Sequence, residues 1–349
     1  MFNKLFFIFI LLVSSIPTAF SEQSRRDTKQ LTTGLESYLA EINKTGFSGS
    51  VLVDYDNTRL LNSHFYSAGN TIDSSSCFFI ASLTKSIAAA AIVKLATQNK
   101  LDLQATITRY LPNVPEDKKT ITIHQLLTHT AGFGGSSYIA ESTTKREQAI
   151  KDILSLKLAR QPGVAFDYSN DGYNLLAIIM EIVTDKTYED VIKEQILTPA
   201  GMNNTHFWQD QPSCLVSVKN YVPNTKGIRH YGLGSGGLIS TSVDLIQWSK
   251  TFSNGSVFTE DEKRLITQPH EKVNDSAAYG YGWFVRTSEN QPAFIRHGGA
   301  DDDLGHFSKL WRFPDAGLTV IVLTNEQTEE VTDQAFLGIY KHIKAFLSN

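Results

Sequence analysis

The chain has 349 residues, of which 41% are hydrophobic and 19% are charged. This composition provides ample apolar material for a large buried core, so it excludes an intrinsically disordered chain and a small disulfide-dependent scaffold. The 32 basic and 36 acidic side chains give a formal net charge of −4. Because no excess of positive charge is available to neutralise a phosphate backbone, nucleic-acid binding is not expected.

The first 21 residues have the pattern of a secretory signal peptide. Lys4 precedes an apolar run over residues 5–13, and a short stretch with small residues ends at Ser21. The apolar run is too short for a membrane span, which needs about 20 residues, and no later stretch is longer. We therefore expect cleavage after Ser21 and export of the mature chain to the periplasm or the medium, without stable membrane insertion.

Strand patterns lie at both ends of the mature chain, and helical patterns fill the middle. A helix is predicted over residues 28–43, and a hairpin of two strands over residues 47–54 and 60–68. Further helices are predicted over residues 86–96, 123–127, 148–158, 174–184 and 188–197. Strands are predicted over residues 279–287, 293–297, 306–313 and 318–323, and a last helix over about residues 329–346.

This order predicts a mixed α+β fold. The strands from the two termini would form one antiparallel sheet, flanked by helices, with a mainly helical insert over about residues 98–275. We expect residues 22–349 to form a single domain. Export would permit a disulfide between Cys77 and Cys214, but their separation in sequence leaves open whether they meet.

A first candidate element is the Ser-Leu-Thr-Lys segment at residues 82–85, which precedes an Ala-rich helical stretch. Residues three apart share a helix face, so Lys85 would lie beside Ser82. An amine in a dry pocket loses its proton readily and can activate a hydroxyl. The same pattern recurs in a polar stretch at residues 142–145. Taken alone, an N-cap serine and a solvated lysine therefore explain the segment better.

A second candidate element is Tyr168 with Asn170, on a loop after a Gln-Pro-Gly turn. A phenol beside a cation can exchange a proton, and an Asn amide can both donate to and accept from a substrate amide or ester. The same spacing occurs at Tyr55 and Asn57, where a hairpin turn explains it. The spacing by itself decides nothing.

The third candidate element, His297-Gly298-Gly299, closes the strand predicted over residues 293–297. Glycines at a strand end let a ligand approach the backbone closely. A plain strand-ending turn with a partly exposed histidine explains the triplet equally well.

The order of the three elements is more informative than any one of them. In this order the sequence resembles the class C β-lactamase-like serine hydrolases, which include D,D-peptidases, D-aminopeptidases and esterases. The resemblance extends over about residues 47–325. Two longer stretches strengthen it, namely residues 123–132 and residues 234–238 with 242–245 and Trp248.

The resemblance implies that Ser82 is the nucleophile, that Lys85 is its proton acceptor or electrostatic partner, and that Tyr168 is a general acid and base. Substrate-binding roles are implied for Asn170, His297, Gly299 and Ala300. The backbone amides at positions 82 and 300 would form an oxyanion hole, which is usually the largest single catalytic contribution.

One departure from the family pattern bears on the substrate. Gly298 stands where many relatives carry Thr, whose hydroxyl often helps to hold a substrate carboxylate. A histidine in the preceding position weakens that hold, because its ordinary pKa of about 6.5 leaves it mostly neutral at pH 7. Asp301, Asp302 and Asp303 would repel an anionic substrate if they faced the pocket, although a solvated acidic turn is the more common arrangement.

These observations predict a serine hydrolase that forms an acyl-enzyme on Ser82. Its substrates would be small esters, amides or peptides, including peptidoglycan-derived ones, with neutral or cationic ends, and β-lactam hydrolysis would be weak. D,D-carboxypeptidase and β-lactamase activities belong to the same range. The alternative is a protein of this fold that binds penicillin or peptidoglycan without turnover. Loss of Ser82, Lys85 or Tyr168 would indicate that alternative, and all three are present.

No cofactor or metal is expected. His124 and His129 are five residues apart and lack an intervening Glu, so they do not have the spacing of a helical zinc site. We expect His129 to order the loop near the pocket. The glycines at positions 234, 236 and 237 lack the context of a phosphate loop, and tight strand packing explains them better.

Overall fold

The computed structural model describes residues 22–66, 71–135, 145–216, 232–286, 294–325 and 327–348. The predicted signal peptide lies outside these residues. None of the helices in the described ranges is both long enough and apolar enough to cross a membrane.

The described residues form eleven strands and eleven helices. The strands are β1 Gly49–Tyr55, β2 Thr58–Phe65, β3 Phe78–Phe79, β4 His206–Phe207, β5 Leu238–Ser240, β6 Glu271–Asn274, β7 Ala277–Tyr279, β8 Phe284–Arg286, β9 Ile295–Asp301, β10 His306–Phe313 and β11 Leu318–Thr324. The helices are α1 Glu22–Lys44, α2 Thr84–Thr97, α3 Ile123–Leu127, α4 Arg146–Ser155, α5 Asn170–Thr184, α6 Tyr188–Ile192, α7 Thr198–Ala200, α8 Leu233–Gly236, α9 Ser242–Lys250, α10 Glu260–Thr267 and α11 Glu329–Leu347.

Eight of the described strands form one antiparallel sheet in the order β2-β1-β11-β10-β9-β8-β7-β6. Strands from the two terminal parts of the chain lie side by side as its second and third strands, where β1 pairs with β11 and Val51 lies opposite Val322. A second, small sheet joins β3, β5 and β4. The predicted mixed fold, with an antiparallel sheet built from terminal strands, is confirmed.

Both faces of the large sheet are covered, which explains why every residue of β11 is buried. Along this strand Val320 and Val322 face the terminal helices α1 and α11, whereas Ile321 and Leu323 face the helical middle of the chain. Full burial of one such side chain contributes about 1.5–3 kcal/mol. The two clusters therefore fix the register of the strand, because a shift by one residue would exchange the faces.

Several predicted elements need correction. The strand predicted over residues 279–287 is two strands, β7 and β8, because Gly282 adopts a left-handed φ of +77° and turns the chain between them. The strand predicted to end at His297 continues to Asp301. Helices α9 and α10 and strand β6 were not predicted. The helix predicted over residues 188–197 is α-helical as far as Ile192 and continues as a π-helix from Lys193 to Leu197.

Candidate active site

Ser82 lies on a tight turn between β3 and α2. The turn is a 3₁₀ turn, Ala81–Leu83, so Ser82 precedes the helix rather than opening it, as the sequence had suggested. Ala81 has a φ of +43°, a strained conformation for a residue with a Cβ. The large sheet holds this turn: Ser308 Oγ donates to Ile80 O at 2.7 Å, and Phe79 N donates to His306 Nδ1 at 3.2 Å. The strained turn therefore has rigid support.

Lys85 is the second residue of α2 and is completely buried. Its Nζ lies 3.1 Å from Ser82 Oγ, 2.6 Å from Asn170 Oδ1 and 2.8 Å from Ser235 O. Burial lowers the pKa of Lys85 well below its usual value, and the nearby Asp171 opposes this shift. Asn170 Oδ1 and Ser235 O can only accept hydrogen bonds. When the Lys85 amine is neutral, it can therefore donate its two protons to these oxygens, and its lone pair is left to accept from the Ser82 hydroxyl.

Tyr168 packs against Lys85, whose Nζ lies 4.9 Å from the centre of the tyrosine ring. Burial raises the pKa of Tyr168 above its usual value, while the nearby Ser82 side chain lowers it in part. The resting phenol is therefore protonated at neutral pH. The structure brings Ser82, Lys85, Tyr168 and Asn170 together.

His129 positions the Tyr168 loop, which confirms the prediction that it orders this region. Its main-chain oxygen accepts from Asp167 N at 2.7 Å, and its Nδ1 accepts from Ser169 N at 3.1 Å. The imidazole packs against the Tyr168 ring with centroids 4.3 Å apart. Burial lowers the pKa of His129 well below its usual value, so the ring stays neutral and its Nδ1 remains an acceptor.

His297 lies inside β9 with only 2% of its surface exposed. Its Nδ1 lies 2.7 Å from Gly298 O, which can only accept, so Nδ1 carries the proton. Its Nε2 therefore accepts from the Tyr279 hydroxyl at 3.2 Å. Burial, with the charge of Lys85, lowers the pKa of His297 to about 3. Protein groups occupy both ring nitrogens, so His297 offers no positive charge to a substrate.

Gly299 brings β9 into direct contact with the Ser82 turn. A Cβ built at this position would lie 2.2 Å from Ile80 O and 2.7 Å from Ser82 N. The glycine is thus needed for a close approach between two stretches of protein backbone. The next residue, Ala300, is exposed beside the same turn. The pairing of β8 with β9 reaches Arg296 and no further, which leaves Ala300 on an open strand edge.

Several site residues were not identified from the sequence. Ser235 contributes a main-chain oxygen, which no side-chain pattern reveals. It lies on α8, where a Cβ at Gly234 would lie 2.1 Å from Tyr173 O. The prediction of strand packing for these glycines is wrong, since Gly234 and Gly236 lie in a helical turn, where Gly234 packs against α5 and Gly236 lies beside Ala81. The sequence pattern predicted that Tyr279 lies in a strand, but it did not identify the hydrogen bond from its hydroxyl to His297.

Cys77 and Cys214 form a disulfide. The bond joins Cys77, which comes directly before β3, to Cys214. The main chains of the two residues are also in contact, since Cys77 N donates to Cys214 O at 2.9 Å. The Ser82 turn follows β3 directly, so the disulfide restrains the chain that leads into the site.

His124 bonds to the Tyr281 hydroxyl at 2.7 Å rather than to His129. The described residues contain no cluster of side chains suited to hold a metal.

A family model described as Beta-lactamase matches residues 33–338 of the chain. The chain belongs to this family. Members of the beta-lactamase family are serine hydrolases. The chain is 28% identical over 326 residues to the Bacillus subtilis (strain 168) protein named "Putative penicillin-binding protein PbpX", with 88% of this chain and 77% of that protein covered.

Solved structures of this family share the fold at low sequence identity. EstCE1, described as a hydrolase with promiscuous acyltransferase activity, matches with a TM-score of 0.78 at 20% identity, covering 91% of this chain and 99% of that one. A beta-lactamase/D-alanine carboxypeptidase from Pseudomonas syringae matches with a TM-score of 0.76 at 16% identity, covering 89% and 99%. These identities show a common fold and leave the substrate open.

Proposed function

We propose that this beta-lactamase family member hydrolyses esters or amides through an acyl-enzyme on Ser82. The observation that carries the proposal is the environment of Lys85 Nζ, which is buried, contacts two obligate acceptors and lies 3.1 Å from Ser82 Oγ. Burial lowers the pKa of this lysine well below its usual value, which favours the neutral amine that can act as a base. A structural lysine would instead be paired with a carboxylate or reach solvent.

In the acylation step, Ser82 Oγ attacks the carbonyl carbon of the substrate and its proton passes to Lys85 Nζ. The carbonyl oxygen becomes an oxyanion next to the amides of Ser82 and Ala300. When the tetrahedral intermediate collapses, the bond to the leaving group breaks and Tyr168 donates its proton to the departing alcohol or amine. Lys85 returns its proton to Tyr168. Asn170 lies 2.6 Å from the lysine and positions it.

In the deacylation step, water attacks the acyl carbon and its proton passes, by way of the Tyr168 hydroxyl, to Lys85 Nζ. The bond from the acyl carbon to Ser82 Oγ breaks, and Lys85 returns the proton to the serine oxygen. The pKa directions support these roles: the pKa of Lys85 is lowered, which suits a base, and the pKa of Tyr168 is raised, which suits an acid. Neither step requires a cofactor.

The charge around β9 favours substrates without a carboxylate. His297 is neutral and fully engaged, and Gly298 has no hydroxyl to offer. Asp302 and Asp303 are exposed at the end of the strand, and Asp301 accepts from Leu304 N at 3.0 Å. We therefore propose neutral or cationic acyl substrates, with carboxylated β-lactams turned over poorly.

A hydrolysis panel tests the proposal. It compares p-nitrophenyl acetate and butyrate with nitrocefin, a D-Ala-D-Ala peptide and D-amino acid amides. The chain offers a matched control for Ser82→Ala, because Ser142 begins a second Ser-x-x-Lys pattern. We expect Ser82→Ala to lose at least a thousandfold in kcat and Ser142→Ala to match the wild type. Equal loss in both variants, or activity that survives Ser82→Ala, contradicts the proposal.

The same panel tests the alternative of binding without turnover, which the name of the Bacillus subtilis relative suggests for that protein. A fluorescent penicillin that acylates Ser82 stably, together with no ester or amide turnover, would establish a penicillin-recognising protein. A burst followed by steady turnover would establish an enzyme. A nitrocefin rate equal to the ester rate would contradict the proposed preference for uncharged substrates.

We also propose that the chain works outside the cytoplasm after removal of residues 1–21. The disulfide between Cys77 and Cys214 supports this, because disulfides persist mainly in oxidising compartments. Mass spectrometry of the secreted or periplasmic protein tests the cleavage after Ser21. An intact N-terminus in the cytoplasmic fraction would contradict it.

A further inference from the structure

A second cavity lies on the face of the large sheet that is remote from Ser82. It has a volume of about 270 Å³ and lies between strands β8, β9 and β10 and helix α11. Side chains alternate along a strand, so Arg296 and His297 of β9 point to opposite faces. Arg296 lines this cavity, whereas His297 points toward the catalytic residues.

Three cations from three neighbouring strands meet in the cavity, namely Arg286, Arg296 and Lys309. Among the described residues of the lining, Asp333 of α11 is the one acidic side chain, and its carboxylate lies 3.9 Å from Lys309 Nζ. Asp333 is more than half exposed, so water screens this pair. The described part of the lining therefore has more basic than acidic side chains.

Arg296 is the central cation of this group. Among the described residues, the ring of Phe284 packs against it, with its centre 5.1 Å from the guanidinium carbon, and no carboxylate forms an ion pair with it. Burial and the charge of Arg286 both lower the pKa of Arg296. A carboxylate placed between Arg296 and Arg286 would be attracted by both guanidinium groups.

Aromatic side chains form the rest of the wall. Phe294, Trp311 and Phe336 are buried, and Trp311 packs against Phe336 and Tyr340 with ring centres 5.9 and 5.7 Å apart. Leu337 at the rim is 61% exposed. Gly298 has no side chain, and this leaves space for the aliphatic part of Lys309. A Cβ at position 298 would lie only 2.7 Å from Lys309 Cδ.

We propose that this cavity binds a small organic anion with an aromatic body, held by Arg296 and Arg286 at its carboxylate and by the aromatic wall at its ring. A guanidinium pairs with a carboxylate through two parallel hydrogen bonds, and aromatic walls favour a flat apolar body. The cavity has the volume of about nine water molecules, which limits the body to one or two rings. The proposal is independent of the activity proposed for Ser82.

Isothermal titration of the full chain with 2-naphthoate tests the proposal. We expect saturable binding that weakens at least tenfold in Arg296→Gln. It should stay unchanged in Arg264→Gln, which removes an exposed arginine of α10 outside the cavity. It should also stay unchanged in Tyr168→Phe, which distinguishes the cavity from the catalytic site. The neutral analogue 2-naphthylmethanol should bind at least tenfold more weakly than the anion.

Three results would overturn the proposal. The first is a titration in which the heat does not saturate up to millimolar naphthoate. The second is an equal naphthoate affinity of the wild type and Arg296→Gln, and the third is an equal affinity of the wild type for naphthoate and for the neutral alcohol. Circular dichroism and thermal unfolding establish that each variant is folded. If Arg296→Gln does not fold, Arg286→Gln removes the neighbouring cation and decides the same question, with unchanged naphthoate affinity overturning the proposal.

Discussion

Replacement of Gly299 by Ala should push strand β9 away from the turn that carries Ser82. The added Cβ would lie 2.2 Å from Ile80 O and 2.7 Å from Ser82 N. Both neighbours are main-chain atoms, and Ser308 also holds Ile80 O, so neither can rotate aside as a side chain would. Moving the first contact out to 3.0 Å, a distance below which real Cβ atoms essentially never lie, requires a displacement of about 0.8 Å.

This displacement falls on the proposed oxyanion hole, because the amides of Ser82 and Ala300 flank the contact. Loss of one such donor costs about 10²–10³ in kcat, or about 3–4 kcal/mol of transition-state stabilisation. Overpacking of a well-packed region costs about 1–3 kcal/mol in the free energy of unfolding. We therefore expect kcat/KM to fall about 100-fold or more in a protein that is still folded.

The assay is hydrolysis of p-nitrophenyl butyrate, with urea unfolding measured on the same preparations. Gly255→Ala is the matched control, since a Cβ at position 255 meets nothing within 4 Å. The control should keep both the activity and the stability of the wild type. A folded Gly299→Ala protein with the wild-type kcat/KM would refute the reasoning, because it would mean that the two backbone stretches can separate without consequence.

Four further predictions follow from the site and its surroundings. The kcat/KM for an ester should rise with pH through a single ionisation below the usual lysine value of 10.5, because burial lowers the pKa of Lys85 and the neutral amine is the reactive form. Tyr168→Phe should lower kcat by about 10²–10⁴ and change KM little, as measured by steady-state hydrolysis, because it removes one proton donor. Stability measured by urea unfolding should fall by about 2 kcal/mol between pH 7.5 and pH 5 on account of His297 alone, since the unfolded ring binds a proton at about 6.5 and the folded one only near 3. Removal of the disulfide by Cys77→Ser with Cys214→Ser should lower the free energy of unfolding by up to about 5 kcal/mol, because the bond closes a loop of 137 residues.

Each of these has its own control. A pH profile that is flat from 5 to 9, or identical in Lys85→Arg, would rule out lysine as the titrating base. Equal kcat in Tyr168→Phe and wild type would remove the tyrosine from proton transfer. For the histidine, stability contributed by the neutral ring is complete above pH 6.5 and is lost as the pH falls toward 3, so His297→Asn should show a shallower slope. An unchanged unfolding midpoint after loss of both cysteines would contradict the last prediction.

Local patterns in the sequence predicted the features that depend on local geometry. The contact between Lys85 and Ser82 follows from residues three apart at a helix start, and the structure places their side chains 3.1 Å apart. The helical middle and the strands at both ends follow from hydrophobic periodicity. The extent of β9 was underestimated because Gly298 and Gly299 have low strand propensity, although pairing with β10 holds them in the strand.

Features that depend on three-dimensional contact were not accessible from the sequence. Ser235 contributes a backbone oxygen, and any residue type could supply that group. The pairing of Cys77 with Cys214 depends on the path of the chain, not on spacing. The contacts of His297 were also not accessible from the sequence. The resemblance to relatives suggested that this side chain contacts the substrate, whereas in the structure its two ring nitrogens bond to the Tyr279 hydroxyl and to Gly298 O.

The pairing of β1 with β11 has a consequence for how the protein is made. Strand β1 can pair with β11 only when residues 318–324 have been synthesised, so this contact between the terminal strands forms late. Until then the hairpin of β1 and β2 has an unpaired hydrophobic edge, which exposes the nascent chain to aggregation. Truncations that remove β11 should therefore yield insoluble protein rather than a smaller folded unit, and the full chain should fold slowly for its size.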